Sequence, residues 1–276
     1  AARKSHIFAW VPIMQGCNKF CTYCIVPYVR GRQTSRTVED IVREVRGLAA
    51  EGYKEITLLG QNVNSYGLDF RDGTDFGTLI RALDKVDGIE RVRYMTSHPR
   101  DMTFDMVDAM ADSPKVARQM HLPVQHGDNE MLRRMNRGYT IEHFMELLAY
   151  VRKRMPDITV TTDLITGFPG ETEEMHQATL RLLREAQFDS AYTFIYSPRQ
   201  GTPAARMEDQ IDDAVKHRRL QELMDVQNEI SLAKNRAMEG KVYPIIVEGA
   251  TKQDDNNWYG RTSGNKMIIF PKEEGL

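Results

Sequence analysis

Cysteine is scarce in this chain: three residues in 276, all between Gly16 and Cys24. That scarcity excludes a disulfide framework, since three thiols within eight residues always leave one unpaired. No apolar run is long enough to span a membrane, and no signal peptide begins at Ala1. Charge of one sign is also lacking. Lysine and arginine number 37 against 39 acidic residues, a net charge of −2, so any nucleic-acid contact must rest on local basic runs. The remainder, 41% hydrophobic and 28% charged, is ordinary for a globular cytoplasmic protein. Free, clustered thiols fit a reducing compartment and an oxygen-sensitive cofactor. A length of 276 residues suits one large domain with an appendage, or a single α/β barrel. The chain begins at Ala1 without Met, and a further N-terminal segment is expected.

What is present is a spacing. Cys17, Cys21 and Cys24 stand as C-x3-C-x2-C in Gly16-Cys17-Asn18-Lys19-Phe20-Cys21-Thr22-Tyr23-Cys24. A structural zinc site closes with four ligands. An electron-transfer [4Fe–4S] cluster takes four cysteines. Three thiolates on a cubane leave one iron open to a small ligand. The alternative is a zinc completed by a distant histidine, His6 or His98, although no paired ligand spacing accompanies the loop.

Around the loop the chain alternates strand and helix. Residues 7–14 predict a first strand leading into the cysteine loop. Thr37, with Asp40 three residues on, opens a helix whose apolar face is Ile41, Val42, Val45, Leu48 and Ala49, stopped near Gly52. Strands are expected at 55–59, 91–96, 119–124, 158–165 and 190–196. Helices are expected around 76–86, 103–111, 141–155, from 172 onward, and 211–238, with a short helical turn at 130–135. Six strand–helix units imply a parallel sheet covered by helices, a partial (β/α)6 barrel. Chemistry in such barrels sits at the C-terminal strand ends. The polar, glycine-bearing segments at 60–66, 97–100, 125–127, 167–172 and 197–203 all follow strands, as does the cysteine loop. After about Asn235 the pattern changes to short strands at 241–248 and 266–271, separated by a turn-rich stretch, Asp254-Asp255-Asn256-Asn257.

The cysteine spacing resembles that of the radical S-adenosylmethionine (radical SAM) enzymes. The continuation Ile25-Val26-Pro27-Tyr28-Val29-Arg30-Gly31 is similar to their methylthiotransferase branch. So are Leu59-Gly60-Gln61-Asn62-Val63-Asn64-Ser65-Tyr66, Thr96-Ser97-His98-Pro99, His121-Leu122-Pro123-Val124-Gln125-His126-Gly127 and Phe168-Pro169-Gly170-Glu171-Thr172. The resemblance covers nearly the whole chain. It implies that Cys17, Cys21 and Cys24 ligate a [4Fe–4S] cluster whose open iron chelates SAM. It also implies cleavage of SAM to a 5′-deoxyadenosyl radical, and methylthiolation of C2 of N6-isopentenyladenosine at position 37 of tRNA, beside the anticodon. That C–H bond is unactivated, so a cofactor must supply the reactive species. Family members have an N-terminal part holding an auxiliary [4Fe–4S] cluster, the barrel, and a C-terminal RNA-binding TRAM domain. Here the expected division is a barrel at 1–233 and an incomplete TRAM-like domain at 234–276, without the first part and its cysteines. Expected partners are a tRNA anticodon stem-loop and a reductant such as flavodoxin or ferredoxin, with no membrane and a monomeric chain. Such a chain is expected to cleave SAM without methylthiolating alone.

The resemblance places Tyr23 near the adenine, and Gly60, Gln61 and Asn62 where SAM's amino group binds. The family position is often acidic, but the Gln61 carbonyl also accepts a hydrogen bond. Gln125 either binds ribose hydroxyls or orders its loop. Asp163 either faces the rim or braces the barrel. Gly167 and Gly170 either admit the adenine or serve a turn. Arg30 or Arg152 is a candidate for the SAM carboxylate, against an ordinary solvated role. RNA candidates are Arg30, Arg32 and Arg36 beside the cluster, Arg133, Arg134 and Arg137 as a second run, and Arg199. Each suits phosphate by its forked, permanent charge, or else is a solvated surface group. His98 is either a site residue or a loop histidine. The 15 methionines need no redox role. Rival readings are methylthiolation of a ribosomal-protein aspartate, action on threonylcarbamoyl-adenosine in tRNA, and a non-catalytic iron–sulfur RNA-binding module.

Overall fold

A computed structural model describes residues 7–252 and 256–273. His6, Asp254 and Asp255 therefore lie outside the described residues. Six parallel strands carry the larger part: β1 (Phe8–Pro12), β2 (Glu55–Leu59), β3 (Arg91–Tyr94), β4 (Gln119–His121), β5 (Thr159–Thr166) and β6 (Ser190–Ile195). A helix follows each: α1 (Val38–Ala50), α2 (Phe76–Asp84), α3 (Phe104–Asp112), α4 (Ile141–Arg154), α5 (Glu173–Ala186) and α6 (Asp213–Arg236). The strands pair as β1–β2–β3 and β4–β5–β6, and the halves meet where Val92 bridges to Val116. No ladder joins β1 to β6 among the described residues, so the barrel is open on one side.

Local chemistry explains the helix starts. Thr37, Asp75, Thr103, Thr140, Thr172 and Asp212 each cap a helix by accepting a backbone N–H through the side chain. Each such cap stabilises its helix by about 1 kcal/mol. In α1 the buried residues are Ile41, Val45 and Leu48, the stripe facing the sheet. Along β5 burial alternates strictly: Val160, Thr162, Leu164 and Thr166 are buried, whereas Thr159, Thr161, Asp163 and Ile165 are only partly covered. The outer face of the sheet thus packs on helices, and the inner face lines a lumen without the filled layers of a complete barrel. A cavity of about 430 Å³ occupies that lumen, with Trp10, Thr57, Arg93, His121 and Tyr192 among its walls.

Several expected boundaries shift for identifiable reasons. The first strand ends at Pro12, and Met14–Gln15 pairs antiparallel with Thr34–Ser35 instead. The fourth ladder stops at His121 rather than at Val124, because Pro123 interrupts it; Val124 N–H turns to the Thr162 hydroxyl.

The C-terminal part is a three-stranded antiparallel sheet, β7 (Ile245–Ala250), β8 (Asn257–Thr262) and β9 (Met267–Pro271), in the order β9–β8–β7. The middle strand was not expected from sequence. Gly260 obscures it: the register shifts between Tyr259 and Gly260, and a Cβ there would press on the Ile246 carbonyl. The turn after β8 closes the lower end of the barrel. Arg93 donates to the Thr262 and Ser263 carbonyls (2.8 and 3.0 Å), and Arg91 to the Arg261 carbonyl (3.0 Å). Glu55 balances both arginines at 3.2 and 2.9 Å. These charges also explain why so polar a strand as β3 is buried. Among the described residues no helix is long and apolar enough to cross a membrane.

Candidate functional site

The loop after β1 lies on the C-terminal rim, and three straps fix it there. Cys17 N–H donates to the Gly31 carbonyl (3.2 Å), closing the loop on itself. Thr22 donates to the carbonyls of Met135 and Arg134 (3.1 and 2.9 Å), and Asn136 to that of Phe20 (2.8 Å). Ala204 N–H reaches the Thr22 carbonyl (2.9 Å). Gly16 makes the entry turn with φ +74°, and a Cβ there would overlap the Arg32 carbonyl. Backbone cannot yield as a side-chain tip would. Gly16→Ala is therefore expected to cost about 1–3 kcal/mol and to lower iron loading more than the neighbouring exposed substitution Asn18→Ala. Iron content and the melting temperature of the metal-free protein check this.

Burial is the largest influence on Cys17 and Cys24 and pushes both thiols up, so a metal displaces their protons on binding. The three sulfurs do not all lie within 4.8 Å of one another. A single tetrahedral zinc would hold them about 3.8 Å apart, given its ~2.3 Å bonds. His98 does not group with the cysteines as a ligand set. Burial above all, then the charges of Arg137, Lys19 and Arg100, hold it down at about 2. Its Nδ1 accepts from Arg100 N–H (3.2 Å), and its carbonyl takes the Asn64 amide (2.9 Å), which orders the loop, while its Nε2 is buried without a hydrogen-bond partner.

Beside the cysteines, Asp101 joins two rim segments. It pairs with Lys19 Nζ (2.5 Å) and accepts from Asn62 Nδ2 (2.6 Å). That leaves Asn62 Oδ1, and with it Gln61 Oε1, buried without a hydrogen-bond partner. Two orphaned carbonyl oxygens at the end of β2 are what an ammonium group requires. The residues present thus fit both a three-thiolate cluster and the amino group of SAM. Gly60 makes room for Met14, whose side chain a Cβ would strike.

The other rim residues divide. Gln125 is buried and left-handed (φ +75°), held by Asp163 O and Ile165 N on β5. Strain at a strand end is common in functional sites. Asp163 faces the lumen, 3.3 Å from His121 Nε2, and His121 Nδ1 meets the Thr161 hydroxyl at 2.9 Å. Tyr23 packs with Met131, Met135, Phe168 and Tyr196, and burial pushes its phenol well up. Gly167 is not brought to this group: its Cβ position is filled by the Lys216 side chain, and its N–H donates to Glu171 (2.6 Å). Gly170 likewise makes room for Arg134 and Asp209.

The arginines separate too. Arg36 is tied to Asp40 and Glu44, Arg133 to Glu130, and Arg134 to Asp209. Arg152 donates to the Gln187 carbonyl near the end of α4, at the opposite end of the barrel, so it cannot serve a rim ligand. Arg137 is no surface phosphate ligand: it is 4% exposed and turned toward Cys21. Arg30, Arg32 and Arg199 are exposed. Next to Arg30 and Arg32, Phe20 and Tyr28 form an exposed edge-to-face pair, with ring centroids 5.8 Å apart. Asp101 and the true setting of Arg137 leave no signal in the sequence, because the contacts to Lys19 and to Cys21 span 82 and 116 residues.

Residues 11–183 match the model of the Radical SAM superfamily, and residues 236–275 that of the TRAM domain. A protein of Thermoanaerobacter sp. (strain X514) named tRNA-2-methylthio-N(6)-dimethylallyladenosine synthase is 54% identical over 274 residues, covering 99% of this chain and 58% of its own. One of the same name from Carboxydothermus hydrogenoformans is 53% identical, over 99% and 62%. The chain thus spans about three-fifths of the length of these curated relatives. Among solved structures, coproporphyrinogen III oxidase from Escherichia coli, described as a radical SAM enzyme, superposes with a TM-score of 0.62 at 16% identity, over 95% of this chain and 71% of its own. A radical SAM methyltransferase from Kitasatospora setae gives 0.60 at 19%, over 72% and 38%. At such identities the likeness concerns the fold.

Proposed function

Because this chain belongs to the radical SAM superfamily, we propose that it is the radical-generating part of a tRNA methylthiotransferase. Its substrate is C2 of N6-isopentenyladenosine at position 37. The observation that carries the proposal is the cysteine loop on the rim of an open six-stranded barrel, beside the orphaned oxygens of Gln61 and Asn62. When bound, the cluster and SAM supply the carbon-centred radical needed to break an unactivated C–H bond.

The chain's own residues position and shield. Cys17, Cys21 and Cys24 hold the cluster. Gln61 and Asn62 offer their orphaned oxygens to the SAM ammonium, with Gly60 keeping that segment close to Met14. Asp101 fixes Asn62 relative to the cysteine loop. Gln125, after β4, and Asp163, on β5, supply further polar groups for SAM, and Tyr23 an aromatic wall. In this reading residues 1–233 form the catalytic domain and 234–276 the RNA-binding one. Phe20 and Tyr28 give a stacking platform for an unpaired base, and Arg30 and Arg32 meet the adjoining phosphates. The substrate base must leave its stack to enter the lumen. The protein works as a cytoplasmic monomer, reduced by flavodoxin or ferredoxin.

Mass spectrometry of tRNA from cells with and without the encoding gene tests the proposal. The expected result is loss of the methylthio group and accumulation of isopentenyladenosine. Unchanged tRNA, or a lesion confined to threonylcarbamoyl-adenosine or to a ribosomal protein, contradicts it.

A further inference from the structure

Arg137 is the most unusual charge in the chain. It is 4% exposed and has no carboxylate partner among the described residues. Its Nη1 lies 3.4 Å from Cys21 Sγ and 3.2 Å from Tyr23 Oη. Nη2 donates to the Pro123 carbonyl (2.8 Å), and Nε to Tyr139 Oη (3.1 Å). The guanidinium carbon sits 5.4 Å from the centre of the Tyr139 ring. Every one of these neighbours is neutral except the sulfur, once that sulfur ligates a metal. A buried, permanently charged group without a counter-ion is costly. The neighbour that becomes anionic on ligating a metal, and lies at hydrogen-bond distance, is Cys21 Sγ.

We infer that Arg137 is a positioning residue for the cluster, which donates an N–H to Cys21 sulfur and sets the cluster's reduction potential. The inference rests on the proposed cluster at Cys17, Cys21 and Cys24. Reduction adds one electron to a group that three thiolates already make anionic. A nearby cation and an N–H donor to sulfur stabilise the reduced form more than the oxidised one, and so raise the potential. The packing around Arg137 is rigid enough for the purpose: Pro123, Tyr23 and Tyr139 hold three sides of the guanidinium in place.

The test is anaerobic reconstitution of the wild-type chain, Arg137→Lys, Arg137→Gln and Arg137→Met, followed by iron analysis and a mediated redox titration read by electron paramagnetic resonance, with dithionite as the electron source. Near the wild-type midpoint, the ratio of reduced to oxidised cluster is expected to fall about tenfold in Arg137→Met, a shift of about 59 mV for one electron. Arg137→Gln shifts in the same direction, and Arg137→Lys stays nearer wild type. If only one neutral variant loads iron, it decides alone. If neither loads while Arg137→Lys does, the charge is what the cluster needs and the inference stands. An unchanged potential in a loaded neutral variant overturns it, as does failure of all three variants, which would leave only a bracing role. Failure of the wild type to load iron would instead remove the proposed cluster itself.

Discussion

Cys24→Ala leaves the chain without a cluster and without SAM cleavage, and Cys17→Ala and Cys21→Ala do the same. The chain has no fourth cysteine to substitute for a lost one. His98 does not group with the cysteines as a ligand set. Removing a group that merely orients a metal ligand costs about 10–100-fold in metal affinity. Removal of a ligand exceeds that range, so iron and acid-labile sulfide should fall to background after reconstitution and gel filtration. The variants should stay folded, because the straps on the loop run through Thr22, Asn136 and backbone groups rather than through the sulfurs. Circular dichroism separates loss of iron from loss of fold. A single alanine variant with full iron would contradict the ligand assignment.

The largest effect on stability is expected from Glu171→Ala. Glu171 lies with His126 and Arg219 in a wholly enclosed network, their side chains 1%, 0% and 5% exposed. Its carboxylate meets His126 Nε2 at 3.0 Å, Arg219 Nη1 at 2.8 Å and Gly167 N–H at 2.6 Å. Alanine would leave the buried Arg219 guanidinium with only the Glu171 backbone carbonyl (3.0 Å) and a longer contact to the half-exposed Glu173 carboxylate (3.5 Å), at a cost approaching the roughly 3–5 kcal/mol of a broken buried pair. At about 2–4 °C per kcal/mol for a domain of this size, the melting temperature should drop by roughly 6–20 °C. The effect carries a pH signature. Burial is the largest influence on Glu171 and pushes its carboxyl up. The hydrogen bond and charge of His126, then Gly167 N–H and Arg219, outweigh it, and the group ends below the usual carboxylate range. A depressed folded-state value means that the stabilisation is present above the unfolded carboxylate value, about 4.3, and is lost as pH falls through the folded one. The gap in melting temperature between wild type and Glu171→Ala should therefore be full at pH 7 and narrow below about pH 4. A gap independent of pH would contradict this account of the network.

Glu171 also shows what the sequence could and could not convey. The segment Phe168-Pro169-Gly170-Glu171-Thr172 was recognisable at the end of a strand, and Thr172 does cap the next helix. Its interior role was not recognisable, because Arg219 lies 48 residues away. The strand–helix alternation was legible because apolar spacing and helix caps are local properties. The cysteine loop was legible because its ligands lie within eight residues of one another. Arg133, Arg134 and Arg137 show the opposite case. They look alike in sequence, yet one pairs with Glu130, one with Asp209, and one is buried against Cys21. Only the return of the chain across 116 residues distinguishes the third. Strand β8 was hidden by the glycine that its bulge requires. Arg91 and Arg93 gave no hint that they hold the turn beneath the barrel, since the carbonyls they bind lie about 170 residues further on.

The central claim is that Cys17, Cys21 and Cys24 hold a cluster with an open iron that acts on SAM at the barrel rim. One measurement tests it most directly: 5′-deoxyadenosine formed when the anaerobically reconstituted chain is reduced in the presence of SAM. The account predicts 5′-deoxyadenosine and methionine in equal amounts, dependent on both iron and reductant. A chain that carries its full iron and yields none would be an iron–sulfur binding module, and would contradict the claim.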